Sequence, residues 1–153
     1  MERINIPVVL FTFRRSNTIP AIMERIAVVK PLKIYLLSDE GRNAAEKEDV
    51  KKCREIVEKS ISWDCEVIKH YADSNRGVYK NIGEGARWVL EREEMAIFLE
   101  DDNLPEVTFF KYCEELLKKY SSSDKILWIC GTNYLGQYDS QYSYMFTKNL
   151  LPC

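Results

Sequence analysis

The chain has 153 residues, 46% hydrophobic and 30% charged, which is the size and balance of a single globular domain. Its 22 Lys and Arg against 24 Asp and Glu leave a formal net charge of −2, which excludes the broad basic footprint of a nucleic-acid binder. The opening MERINIPVVLFTF lacks the layout of a secretory signal. No run approaches the ~18 apolar residues of a membrane helix, so a cytoplasmic protein without a membrane span is expected.

In chain order, Ile6–Phe13 is a β-rich run and predicts the first strand. A helix over about Thr18–Val28 follows, with Ile19, Ile22, Met23 and Ile26 at helical spacing and Pro20 tolerated in its first turn. Lys33–Leu37 predicts the second strand. Ala44–Ser60 predicts a helix whose apolar stripe is Val50, Cys53, Ile56 and Val57. Cys65–His70 alternates and predicts a third strand.

A third helix is expected over about Val78–Glu91, carrying Val78, Ile82, Ala86 and Val89 on one face, with Gly83 and Gly85 weakening it. Ala96–Leu99 predicts the fourth strand. Glu106–Tyr120 predicts a helix with Phe109, Phe110, Cys113, Leu116 and Leu117 inward. Lys125–Cys130 predicts a fifth strand, and a short one is expected at Tyr144–Thr147. Trp63, Trp88 and Trp128 are expected in the core. The five cysteines form no C-x-x-C pair, so reduced thiols are expected rather than a disulfide or zinc framework.

Alternating strands and helices imply an α/β domain with a mostly parallel sheet flanked by helices. In such a sheet all the strand C-termini share one edge, where ligands bind. Every strand here ends in a polar cluster: Arg14–Asn17, Ser38–Gly41, Asp73–Gly77, Glu100–Asn103 and Gly131–Asn133. The fourth is the most unusual. Strand alternation puts Glu100 and Asp102 on one side and Asp101 on the other. Helix capping and dipole pairing account comfortably for one acid before a helix and poorly for three. Two carboxylates on one side are costly unless a cation or hydrogen-bond donors compensate them. With no His or Cys beside them, they suit Mg²⁺ or Mn²⁺ shared with ligand phosphates. Arg14, Arg15 and Arg76 could meet phosphate, as could backbone N–H groups at Gly77 where the third helix opens. His70 is expected to be structural.

The segments PVVLFTFRRSN, IYLLSDEGRN, SNRGVYKNIGEGARWVL, AIFLEDDNLPEVTFFKYCEELLKKY and ILWICGTN, in this order, resemble nucleotide-diphospho-sugar transferases of the GT-A (Rossmann-like) fold. They are most similar to bacterial glycosyltransferases related to the N-acetylglucosaminyltransferase I group. FLEDDN stands where that group carries its variant of the DxD metal motif. The resemblance implies that Thr12, Phe13 and Arg14 line a nucleotide pocket and that Asp39 hydrogen-bonds the base, typically uracil. It implies that Asn75, Arg76 and Gly77 with Asn81 close over the nucleotide. Asp101 would lie near the ribose or donor sugar. Asp102 would ligate Mn²⁺ or Mg²⁺ on the diphosphate, and Gly131-Thr132-Asn133 would approach the donor.

The group carries a second half, often opening with a WGWATW-like stretch, that holds the acceptor site and the catalytic base. Here the sequence given ends at Leu151-Pro152-Cys153. The expectation is therefore an apparently truncated, nucleotide-sugar-binding half over residues 1–153. The acceptor-binding half would be absent and the acceptor an unidentified saccharide or lipid-linked one. Tyr142, Tyr144, Met145, Phe146, Leu150 and Leu151 would form an apolar tail prone to self-association. A fragment that binds nucleotide sugar without catalysis is one alternative. A sugar-phosphate nucleotidyltransferase is another, but it needs a Gly-rich loop near the N-terminus, and FTFRRSN has no glycine. A receiver-like phosphoacceptor domain would place acids after the first strand, where this chain has two arginines.

Overall fold

A computed structural model describes residues 3–132 and 141–148. Strands β1 (Val8–Thr12), β2 (Lys33–Ser38), β3 (Glu66–Tyr71) and β4 (Ile97–Glu100) form one parallel sheet in the order β3-β2-β1-β4. Helices α1 (Ile19–Val29), α2 (Ala44–Ser60), α3 (Gly85–Leu90) and α4 (Val107–Tyr120) flank it. The molecule is thus α/β with a four-stranded parallel sheet between helical layers, consistent with a Rossmann-like fold.

The pleat sorts the apolar residues of the sheet into two cores. Val8, Leu10, Ile34, Leu36, Ile97 and Leu99 face α1, α2 and α4, meeting Ile22, Met23, Ile26, Cys53, Val57, Phe110 and Cys113. Val9, Phe11, Tyr35 and Leu37 face the other way, against Val89 with Ile82, Ala86 and Trp88. β1 is therefore buried on both faces, as a central parallel strand must be. α1 closes on Lys30 in the left-handed region, φ 44°. Asn43 caps α2 by accepting the Glu46 N–H.

The third helix is not continuous. Lys80–Glu84 forms a π-helical turn that runs into α3. Gly85 sits where a Cβ would stand 2.6 Å from the Leu37 side chain and 2.9 Å from Phe11, so its small size lets the helix press onto the sheet. Val78, placed by sequence on the buried face, is 73% exposed.

Two strand expectations fail. Lys125–Cys130 forms no strand: Leu127 is 91% exposed and Trp128 51%. The segment is held by α4 instead. Tyr112 Oη donates to the Cys130 carbonyl at 3.4 Å, and Gly131 lies against the Phe109 ring. β propensity expresses fit to a half-buried pleated surface, and this segment meets a helix. Tyr144–Thr147 is also irregular. Tyr144 packs edge-on to Tyr120 and Phe146 and accepts from Lys119 Nζ at 2.7 Å. Tyr142, Met145 and Phe146 are exposed as expected, while Leu150 and Leu151 lie outside the described residues.

Trp63 packs on the core and donates from Nε1 to the Pro31 carbonyl at 3.1 Å. Trp88 stacks on His70 at 4.4 Å between centroids, and burial pushes the His70 imidazole below its ordinary value. None of the four described cysteines is in a disulfide, and burial pushes the Cys53 thiol up to about 11. Among the described residues no helix is long and apolar enough to cross a membrane.

Candidate functional site

The strand register aligns Thr12 with Ser38, Ser38 with Tyr71, and Phe11 with Glu100, so four strand ends open onto one edge. A cleft of about 400 Å³ lies there. Phe11 lines it together with residues from four strand ends and the segments that follow them. The loop after β1 gives Thr12 to Arg15, and that after β2 gives Asp39 and Arg42. The segment after β3 gives Asn75, Gly77, Val78, Asn81 and Ile82, and that after β4 gives Glu100 to Asp102. Every candidate named for the nucleotide or the metal lines this cleft except Arg76. Gly131 and Thr132 do not line it, and Asn133 lies outside the described residues.

At the β4 end the acids separate as the pleat requires. Asp101 turns inward and is 3% exposed. Its Oδ2 accepts the Phe13 N–H at 2.8 Å and its Oδ1 accepts Arg15 Nη1 at 2.6 Å. Thr18 donates to its carbonyl. Asp101 thus ties the end of β4 to the start of α1. Arg15 also stands 3.1 Å from Asp102, so its guanidinium compensates two of the three acids. The bond to Asp101 raises the Arg15 pKa. Asp102 keeps a side chain 48% exposed. Burial, then Asp102 and Asp101, push the Glu100 carboxyl above its ordinary value.

Asp39, 4% exposed, is in the opposite condition. Its Oδ1 accepts the N–H of Glu40 at 2.9 Å and of Arg76 at 2.8 Å. Its Oδ2 accepts the Gly77 N–H at 2.9 Å and Asn75 Nδ2 at 3.1 Å. A carboxylate offers about four lone-pair sites, and all are taken. The Gly77 backbone N–H, expected to be free for phosphate, is therefore bound internally, as is that of Arg76. Gly77 has φ 80°, a left-handed conformation that glycine adopts without strain, and this turns the loop onto Asp39. The Arg76 guanidinium pairs with Glu84 and leaves the cleft to its backbone neighbours.

Arg54 fixes the same corner. It donates from Nε to Ser38 Oγ at 3.1 Å and from Nη2 to the carbonyls of Asp39 and Ala72, each at 3.2 Å. It also lies over the Tyr71 ring at 4.7 Å. In the first turn of α2, Glu46 accepts Arg14 Nη1 at 2.7 Å, Arg42 Nε at 2.8 Å and the Arg42 N–H at 2.9 Å. These bonds, those of Arg42 foremost, hold its carboxyl down at about 2. Sequence reasoning missed Arg42, Glu46 and Arg54, which sit in the charged part of their segments. For Glu46 a signal existed: Asn43-x-x-Glu46 is the pattern of a helix start, with Arg42 four residues before the acid.

No family model, curated protein or solved structure matches the chain. The donor set itself gives the test of a metal. Among the described residues no group of three or more His, Cys, Asp or Glu is gathered to hold one. Glu100 and Asp102 offer hard oxygen donors at a half-open position. They fit a divalent ion that takes one or two protein carboxylates and completes its shell from water and a ligand, not a closed protein cage.

Proposed function

We propose that this cleft binds a nucleotide sugar, UDP-linked, and serves transfer of the sugar to an acceptor hydroxyl, with the chain acting as a GT-A-like donor-binding unit. One observation carries the reading. Four of the five segments whose sequence resembles nucleotide-sugar transferases contribute walls to a single cleft of about 400 Å³ at the C-terminal edge of a parallel sheet, the place where such sheets bind nucleotides.

In this reading Thr12, Phe13, Arg14 and Phe11 border the nucleotide, and Asn75, Gly77 and Asn81 form the wall over it. Asp39 acts mainly by holding that wall, because a uracil N–H gains a place on its carboxylate only by displacing a present donor such as Asn75 Nδ2. Asp101 positions the β1 loop below the ribose or donor sugar. Asp102, with Glu100 beside it, holds Mn²⁺ or Mg²⁺. When bound, that ion neutralises negative charge on the departing diphosphate. The sugar's anomeric carbon exchanges its bond to the diphosphate oxygen for one to the acceptor oxygen. The acceptor proton passes to a general base that no described residue is assigned to supply.

The test is a competition assay on the full chain in Mn²⁺, with UDP, ADP and a panel of UDP-sugars. The expected result is displacement of a uridine probe by UDP and UDP-sugars ahead of ADP. A purine preference, or no nucleotide binding, contradicts the proposal. Incubation of the bound UDP-sugar with saccharide and lipid-linked acceptors then separates transfer from binding alone.

A further inference from the structure

Arg14 and Arg42 come from different loops, yet both end on Glu46, which is 7% exposed. Two guanidiniums on one carboxylate leave this trio with a net charge of +1. Both arginines line the cleft, with side chains 42% and 59% exposed. Arg14 Nε and Nη2 and Arg42 Nη1 make no hydrogen bond among the described residues. The other arginines near the edge are committed elsewhere, Arg15 to Asp101 and Asp102, Arg76 to Glu84, and Arg54 to Ser38 and the carbonyls of Asp39 and Ala72.

We propose that Arg14 and Arg42 form an anion subsite that takes a phosphate group of the ligand directly, without a metal. The guanidinium fork matches phosphate geometry, and two forks fixed on a shared carboxylate present donors to one oxyanion with little ordering left to do. The subsite stands on the cleft geometry alone and does not depend on the nucleotide being uridine or on a metal at Asp102.

Calorimetric titration of the full chain with inorganic pyrophosphate in EDTA tests it. Wild type is expected to bind, and Arg42→Gln and Arg14→Gln are each expected to weaken binding by roughly tenfold or more. Arg42→Lys keeps the charge but loses the fork. It is expected to fall between wild type and Arg42→Gln, and it covers the case in which Arg42→Gln does not fold. Malonate, a dicarboxylate, should bind more weakly than pyrophosphate. Pyrophosphate binding that depends on Arg42, in a chain that binds no UDP at any metal concentration, would support the subsite while overturning the nucleotide-sugar proposal. No pyrophosphate binding by wild type, unchanged affinity in Arg42→Gln, or malonate binding as tightly as pyrophosphate overturns the subsite. So does UDP binding that requires Mn²⁺ and is indifferent to Arg42→Gln, an outcome that leaves the nucleotide proposal standing.

Discussion

Asp39 at the end of β2 and Asp102 beyond β4 border one cleft, and their surroundings differ in kind. Asp39 is buried and takes four internal donors. Asp102 is half-exposed, and its closest cation, Arg15, is shared with Asp101. A carboxylate saturated by its own chain builds the site, whereas one left half-open can meet a ligand or an ion. On this comparison the carboxylate on the β2 side holds the wall together and the Asp102 carboxylate on the β4 side is left partly open, although both border the same cleft.

The largest effect is expected at Asp39. Asp39→Ala leaves the N–H groups of Arg76 and Gly77 without acceptors and leaves Asn75 Nδ2 only the Glu40 carbonyl, and should cost about 2–4 kcal/mol in urea unfolding. Nucleotide affinity should fall alike for uridine and adenosine ligands, since the loop is loosened rather than a base contact removed. A loss confined to uridine ligands would show that Asp39 reads the base. Asp101→Ala should cost somewhat less, about 1–3 kcal/mol, because Arg15 is half-exposed and retains Asp102.

The comparison extends to pH, with opposite signs at the two sides. Glu46 has a folded pKa of about 2 against an ordinary 4.5. Its bonds to Arg42 and Arg14 therefore stabilise the fold fully above about pH 4.5 and are lost as pH falls toward 2. Glu100 is shifted the other way, so its proton is held more tightly folded than unfolded. Its cost to stability grows as pH rises from the ordinary 4.5 through its folded pKa, is complete above that, and is relieved in acid. Glu46→Gln should flatten the acid limb of a stability–pH curve measured by denaturant unfolding. Glu100→Gln should raise stability at pH 7. The same sign for both substitutions at neutral pH would break the contrast.

Much of this architecture was legible in the sequence because periodicity reports burial. α2 was placed at its observed ends, and β1, β2 and β4 within two residues at each end. The failures share a cause. Lys125–Cys130 has strand composition but packs on α4, and Val78 follows the helical stripe until the π turn rotates it outward. Composition cannot see which surface a segment will meet. In the site, the loops that converge were readable from topology, because parallel strands share an edge. Which donors each acid has already taken was not. Asp39 and Asp102 look alike in sequence, and only the turn at Gly77 shows that one is full and the other half-open. Glu46 and Arg54 were hidden by belonging to a charged helix, where burial of a single carboxylate or guanidinium leaves no periodic trace.

The smallest expected change in stability belongs to the residue expected to matter most for ligand. Asp102→Ala removes one half-exposed ion pair and should shift unfolding by no more than about 0.5 kcal/mol. Calorimetric titration of UDP into wild type and Asp102→Ala, each with Mn²⁺ and with EDTA, therefore tests the account most directly. Wild type should bind roughly tenfold or more tightly in Mn²⁺, and Asp102→Ala should bind equally in both, at the wild-type EDTA affinity. Equal affinity in wild type with and without metal, or a metal dependence that survives in Asp102→Ala, would contradict the assignment of the β4 end as the metal and diphosphate site.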